Sequence, residues 1–224
     1  MPLPNRVDPF GELSATAARG LFMGNRGGRF HRDDRTLGAR RYASRAWICC
    51  RLSFKERHRE VWGRGYTELF FLDEVTALAA GHRPCFECRR ADAQAFAESW
   101  ARAFGLAERP RAADMDRVLH AERLDGRRKR LHPMRLGDVP DGAMITSREG
   151  PALAVRARAP LAWTPAGYDA PYPPTGAADI TVPVLTPPAI LAVLKAGYQP
   201  RWHPSAMSNA GFGLIRSGAG GALT

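Results

Sequence analysis

The feature that most constrains this chain is the turn Cys85-x-x-Cys88, which lies between two predicted helices. The first helix is predicted over 73–80, and Gly81 ends it. Pro84 then keeps the residue before it extended. A C-x-x-C turn at the start of a helix directs two sulfurs to one side, and the free N–H groups of the helix stabilise the thiolate form. Such turns bind zinc, so this stretch predicts half of a zinc site.

The remaining metal ligands are expected from the segment before this turn. The run 46–54 is rich in β-forming residues and predicts a strand that contains Cys49 and Cys50. Adjacent residues of a strand point to opposite faces, so both can reach one zinc ion only through a bulge. The alternative is that both cysteines are buried in a core and that the C-x-x-C turn holds no metal. The fourth ligand stays open among His31, His58, His82 and the other cysteine.

Composition indicates where such a chain works. No apolar run approaches the roughly 18 residues that span a membrane, and the first residues lack the pattern of a signal peptide. We therefore expect a cytoplasmic protein without membrane association. In a reducing cytoplasm, cysteines bind metal or stay reduced more often than they form disulfides.

The net charge of +11 is concentrated in two blocks. Residues 19–65 contain thirteen basic and four acidic residues, and residues 109–135 contain nine and four. Between them, residues 66–108 contain four basic and seven acidic residues. A high-GC codon bias would explain the excess of arginine over lysine, but it would not explain this clustering. Clustered arginine favours a polyanion partner, with DNA expected more than RNA.

Candidate nucleic-acid contacts come from both basic blocks. The glycine-rich stretch 24–31 lets backbone N–H groups approach a phosphate while arginines hold it, although a plain hairpin turn would use the same residues. The second block has a run of four cations at its centre. The predicted contacts are Arg26, Arg29, Arg32, Arg40, Arg41, Arg127, Arg128, Lys129 and Arg130.

The pattern of elements predicts the α+β class. Residues 1–108 are expected to form a small antiparallel sheet with the zinc turn and helices, and 109–135 a basic connector. Residues 136–206 alternate short apolar segments with Gly and Pro clusters, which predicts a small β-rich domain closed by one helix. The last residues, 207–224, are expected to be a flexible tail.

The phrase Phe70-Phe71, a short helix and then Ala79-Ala80-Gly81-His82-Arg83-Pro84-Cys85-x-x-Cys88-Arg89 resembles a known zinc module. It is similar to the second half of the zinc-binding module of Ada-type DNA methyl-phosphotriester repair proteins and of related bacterial metal-binding domains, over about thirty residues. The resemblance implies an α+β fold, a four-cysteine zinc site that includes Cys85 and Cys88, and contact with DNA phosphates. The methyl-accepting cysteine of that family has no counterpart, because 30–35 contains no cysteine, so methyl transfer is not expected.

These observations predict a zinc-containing nucleic-acid-binding protein of bacterial DNA repair or processing. One alternative is a zinc-dependent nucleobase deaminase, because His58-x-Glu60 with Pro84-Cys85-x-x-Cys88 matches its H-x-E and P-C-x-x-C pattern. That pattern needs H-x-E at the start of a helix, whereas glycines follow Glu60. Another alternative is an interaction module with structural zinc. If the chain is an enzyme, the candidate catalytic carboxylates are Glu60, Glu87, Asp33 and Asp34.

Overall fold

The computed structural model describes residues 1–56, 60–147, 150–171 and 178–210. It contains two six-stranded sheets, a two-stranded hairpin and five α-helices within those residues. The strands of the first sheet are β1 (Arg6–Val7), β2 (Leu13–Ser14), β3 (Phe22–Arg26), β4 (Trp47–Arg51), β5 (Leu69–Phe71) and β6 (Arg83–Pro84). The hairpin consists of β7 (Leu124–Asp125) and β8 (Arg128–Lys129). The strands of the second sheet are β9 (His132–Arg135), β10 (Met144–Thr146), β11 (Ala152–Arg156), β12 (Ala159–Thr164), β13 (Gly167–Pro171) and β14 (Thr181–Val184). The helices are α1 (Glu74–Ala79), α2 (Arg90–Ala103), α3 (Ala112–Arg123), α4 (Pro188–Lys195) and α5 (Ser205–Ala210).

This content confirms the predicted α+β class with a second β-rich region. The first sheet has the order β2-β1-β5-β3-β4-β6. Its central pairs, β3 with β4 and β3 with β5, are antiparallel, whereas β5 pairs with β1 and β4 pairs with β6 in parallel. A Cβ atom on Gly24 in β3 would overlap the Ile48 carbonyl oxygen, so only glycine allows the two strands this close approach.

The predicted first helix forms as α1 and lies between the two sheets. Asp73 caps it, because its carboxylate accepts a hydrogen bond from the Thr76 backbone N–H at 2.9 Å. Gly81 follows the helix with a φ of 84°, the left-handed conformation typical of a residue that ends a helix. All six residues of α1 are buried, and the helix contacts both β5 and β10.

The second sheet is antiparallel throughout, with the order β13-β12-β11-β10-β14-β9. The expected closing helix is α4, which begins with Pro188 at a position where a helix needs no N–H donor. One apolar core joins this sheet to the earlier helices, because Leu78, Phe96, Leu119 and Ile145 belong to the same buried cluster. The two predicted domains, 1–108 and 136–206, therefore share a core.

The segment expected to be a basic connector, 109–135, is not an extended linker. It folds into α3, the hairpin and β9, and Met115 and Leu119 of α3 are completely buried. These two residues lie four positions apart and so share one face of the helix. The many charged residues around them made the segment look like a connector in composition. At the other end of the chain, α5 covers part of the predicted tail, and 211–224 lie outside the described residues.

Among the described residues, no helix combines the length and the apolar character needed to cross a membrane.

Candidate metal centre

Strand pairing brings three of the four cysteines together. β4 pairs with β6, and just after this pairing the Cys85 backbone N–H donates to the Cys49 carbonyl at 3.0 Å. The pairing therefore places Cys50, the next residue of β4, beside Cys85. The chain then makes the turn 85–89 and enters α2, and this turn directs Cys88 back towards Cys85. The sequence prediction of a C-x-x-C turn just before a helix is therefore confirmed.

The resulting cluster has dimensions close to those of a metal site. The sulfur atoms of Cys50, Cys85 and Cys88 all lie within 4.8 Å of one another, and the three residues are 7–9% exposed. Sulfurs around a tetrahedral zinc ion, with Zn–S bonds of about 2.3 Å, are about 3.8 Å apart. A small closing movement would bring these three thiolates into that geometry.

Backbone donors around the sulfurs favour the thiolate form. The N–H groups of Glu87 and Cys88 point at the Cys85 sulfur, and the Arg51 N–H donates to the Cys88 sulfur at 3.4 Å. The Glu87 and Cys88 N–H groups are available because the turn lies just before α2, where the first donors of a helix are unpaired. The strands and the turn thus supply the partial positive charge that a thiolate ligand needs.

The three thiols also compete for protons. Hydrogen bonds from the Cys50 and Cys88 thiols lower the pKa of the Cys85 thiol to about 2. The same contacts, together with burial, raise the pKa of the Cys50 thiol. A bound divalent cation would favour deprotonation of all three thiols, because metal ligation requires the thiolate form.

A cavity of about 310 Å³ borders the three sulfurs, and we call it the thiol cavity. Besides the cysteines, carboxylate, phenol and apolar groups line it. They include Glu68, Glu87, Tyr66, Phe54, Val61 and Phe70. A metal ion bound by the three thiolates would therefore face a space large enough for a fourth ligand from the protein, for solvent or for a small molecule.

Cys49 lies on the opposite face of β4, as strand alternation predicts. It is completely buried against Phe22 and Phe71, and its sulfur accepts a hydrogen bond from Arg89 Nη1 at 3.3 Å. Burial raises the pKa of the Cys49 thiol. The prediction of Cys49 as a ligand is therefore not supported, and Cys50 is the member of the pair that joins the cluster.

Two of the histidines considered as a fourth ligand lie elsewhere. Both ring nitrogens of His31 have partners, the Thr67 hydroxyl at 2.8 Å and the Gly63 carbonyl at 3.1 Å. His82 packs against Trp47 on the Cys49 face, where its Nε2 accepts from Arg26 Nε at 3.3 Å. His58 lies outside the described residues.

With this geometry in hand, the chain was compared with known proteins. No family model, no curated protein and no solved structure matches it.

Of the four candidate catalytic carboxylates, Glu87 alone lines the thiol cavity. Asp33 and Glu60 are exposed and form ion pairs with Arg29 and Arg35 respectively. Residues 61–65, which follow Glu60, form turns and bends instead of the helix that a deaminase H-x-E motif begins.

The remaining candidate, Asp34, is exposed and accepts hydrogen bonds from the backbone N–H and hydroxyl of Thr36, which lower its pKa. The buried Glu68 lines the thiol cavity as well, and the sequence analysis missed it. Side chains two positions apart on a strand lie on the same face, so Glu68 shares the face of Phe70. That spacing is the sequence signal that places Glu68 at the thiol cavity.

A second cavity, of about 360 Å³, lies at the first sheet on the face opposite the cysteine cluster, and we call it the basic cavity. Trp47 and Arg26 are paired residues of β4 and β3 on that face, and both line it. The two basic blocks meet here, because Arg127 donates to the Ala39 carbonyl at 2.6 Å and Arg123 to the Arg45 carbonyl at 2.7 Å.

The basic cavity gathers five of the nine predicted nucleic-acid contacts, which are Arg26, Arg40, Arg41, Arg127 and Lys129. Arg26 was expected in an open glycine-rich turn, but it is 1% exposed and forms part of the inner wall. Arg123 is a sixth cation of this cavity that the sequence analysis did not single out. The other predicted contacts lie outside the cavity lining, and they are Arg29, Arg32, Arg128 and Arg130.

Proposed function

We propose that this chain is a zinc-containing protein that binds nucleic acid. The observation that carries the proposal is the convergence of Cys50, Cys85 and Cys88 from two strands and a turn. Three buried sulfurs so close together, with backbone N–H groups directed at them, are better suited to a metal ion than to a plain apolar core.

Zinc is the metal that this donor set favours. Thiolates are soft ligands, and sites made of them select zinc, copper(I) or iron–sulfur clusters, whereas magnesium and calcium need oxygen ligands. A single tetrahedral ion fits three sulfurs within 4.8 Å of one another. The fourth ligand comes from His58, from a carboxylate of the thiol cavity, Glu68 or Glu87, or from solvent.

The meeting of two basic blocks supports nucleic acid as the partner. Residues about eighty positions apart in sequence contribute six cations to one cavity, and three of these cations, Arg40, Arg41 and Arg127, are exposed. Clustered cations of this kind bind phosphates and release counterions. A role in bacterial DNA repair or processing rests on the partial resemblance of residues 70–89 to the Ada-type zinc module.

Zinc is tested by elemental analysis of the purified protein. We expect one zinc ion per chain in the wild type and its loss in Cys85→Ser. In His58→Ala, loss of zinc from a folded protein would identify His58 as the fourth ligand, and retained zinc would exclude it. Absence of zinc from the wild type would refute the metal proposal, and iron in its place would refute the choice of zinc.

Nucleic-acid binding is tested by fluorescence anisotropy with labelled DNA at about 50 and 200 mM salt. We expect the double variant Arg40→Ala/Arg41→Ala to bind more weakly and to lose about one unit of salt slope for each lost phosphate contact. The matched control is Arg109→Ala/Arg117→Ala, whose arginines pair with surface acids and lie outside the basic cavity. Equal affinity and slope in both double variants would contradict the proposal. RNA of the same sequence is expected to bind more weakly than DNA.

A further inference from the structure

We propose that the basic cavity binds a nucleoside monophosphate unit, either as a free nucleotide or at the end of a nucleic-acid strand. The inference rests on the proposed function and extends it, because it names the chemical group that enters the cavity. It concerns the face of the first sheet opposite the cysteine cluster, so it is independent of the bound metal.

The charge balance of the cavity favours an anion. Six cations line it, whereas Glu12 is the one carboxylate among its described lining residues. The buried guanidinium groups donate to neutral carbonyl oxygens: Arg26 to Gly11 at 2.8 Å, and Arg123 to Gly81 at 2.8 Å. Carbonyl oxygens orient a guanidinium group but leave its charge uncompensated.

The pKa values show the cost of this arrangement. Burial, followed by repulsion from neighbouring cations, lowers the pKa of Lys129 to about 7. Burial likewise lowers the pKa of Arg26 and of Arg123 to about 9 each. Glu12 and Asp8 offset part of the repulsion at Arg26, and Asp116 offsets part of it at Arg123, although burial raises the pKa of Asp8 itself to about 6. A bound dianion would offset the remainder.

Three of the six cations are also held in fixed positions. The indole ring of Trp47 has the guanidinium carbon of Arg26 at 4.0 Å from its centre and that of Arg123 at 4.1 Å. Lys129 donates to the Ala79 carbonyl at the end of α1. Side chains fixed in this way lose little entropy when an anion binds, which favours affinity.

The size and lining of the cavity favour one nucleotide. A phosphate monoester carries about −1.5 to −2 charges at pH 7, more than the single charge of an internal phosphodiester. A volume of about 360 Å³ is at the lower end of the range of roughly 300 to 1,000 Å³ found for small-molecule sites. The half-buried rings of Phe10 and Tyr42 line the cavity and offer flat apolar surface to a base.

The first experiment is calorimetric titration of the full chain with adenosine monophosphate. We expect Lys129→Met to weaken this binding about tenfold or more, because a charge-assisted hydrogen bond is lost. The same variant should raise the melting temperature of the protein alone, because it removes a half-buried cation whose charged form burial disfavours. If Lys129 had only a structural role, its replacement would not weaken nucleotide binding and raise the melting temperature at the same time. Arg40→Ala, whose side chain is exposed, provides a second variant that leaves the fold intact, and Arg117→Ala is the control.

Two oligonucleotides, one with a 5′-phosphate and one with a 5′-hydroxyl, distinguish the sources of the ligand. Tighter binding of the phosphorylated strand, competed by adenosine monophosphate, would assign the cavity to strand ends. Binding of the mononucleotide without any such preference would assign it to free nucleotides. The inference would be overturned if adenosine monophosphate fails to bind the wild type at millimolar concentration, or binds Lys129→Met equally well. DNA binding that persists in that case would leave the proposed function standing.

Discussion

Serine substitution of Cys49 and of its neighbour Cys50 should affect metal binding differently. Cys50 and Cys49 are neighbours in the chain and are both buried, but only the sulfur of Cys50 lies within 4.8 Å of those of Cys85 and Cys88. The sulfur of Cys49 instead contacts Arg89. Cys50→Ser should therefore weaken zinc binding, whereas Cys49→Ser should leave it unchanged.

The size of the effect follows from the number of ligands. Structural zinc sites contribute roughly 10–16 kcal/mol, which is about 2.5–4 kcal/mol for each of four ligands. Loss of one thiolate should thus weaken zinc binding by about 10²- to 10³-fold. Cys49→Ser places a hydroxyl in an apolar core, at a cost of about 1–3 kcal/mol in unfolding free energy. The nearby Arg89 donor reduces that cost, because it can bond to the hydroxyl.

The assay is competition for zinc with a chromophoric chelator, together with urea unfolding of each variant. Urea unfolding identifies any variant that loses zinc only because it is unfolded. Wild-type zinc affinity in a folded Cys50→Ser protein, or loss of zinc from a folded Cys49→Ser protein, would refute the strand alternation that underlies this prediction.

Three further predictions concern stability. Glu74→Gln should lower the free energy of unfolding by about 3–5 kcal/mol, because the buried Glu74 carboxylate forms an ion pair with Arg89 at 2.7 Å and accepts a hydrogen bond from the Tyr198 hydroxyl at 2.6 Å. Urea denaturation measures this, and the exposed Glu98→Gln should cost less than about 1 kcal/mol. Gly24→Ala should destabilise the protein by roughly 1–3 kcal/mol or more through its clash with β4, whereas Gly65→Ala, with nothing within 4 Å, should be neutral in thermal melts. Stability should rise between about pH 7 and 9, because the lowered pKa of Lys129 makes the unfolded chain bind more protons in that window, before Arg26 and Arg123 titrate at about 9. Urea midpoints measured against pH should show that Lys129→Met removes the rise in this window, and an unchanged slope would contradict it.

Local rules predicted a large part of the metal centre. The glycine and proline around the C-x-x-C turn indicated a helix end, a turn and a new helix, and α1 and α2 lie where these signals placed them. Alternation predicted that only one of Cys49 and Cys50 joins the turn. The choice between them depends on the parallel pairing of β4 with β6, which aligns Cys49 with Pro84. Parallel pairing between segments far apart in the chain leaves no local signal, so the sequence left that choice open.

For the basic residues, the sequence predicted the kind of site but not which side chains are buried in it. Their composition indicated a polyanion site, and the two blocks do meet in space. Composition does not reveal which cations become buried, however, and Arg26 was expected at an open turn although it lies beneath Trp47. A similar problem affected 109–135, where the apolar positions Met115 and Leu119 were hidden among charges. In both cases tertiary packing determined the outcome, and charge content alone did not predict it.

The strand β4 contributes residues to both proposed sites. Cys50 faces the metal cluster, and three residues earlier Trp47 holds two guanidinium groups at the basic cavity. A ligand on either face stabilises the folded strand, so zinc and a nucleotide each raise the free energy of unfolding of the same chain. Loss of zinc should therefore lower the stability of the strand that holds Trp47, although zinc contacts no residue of the basic cavity.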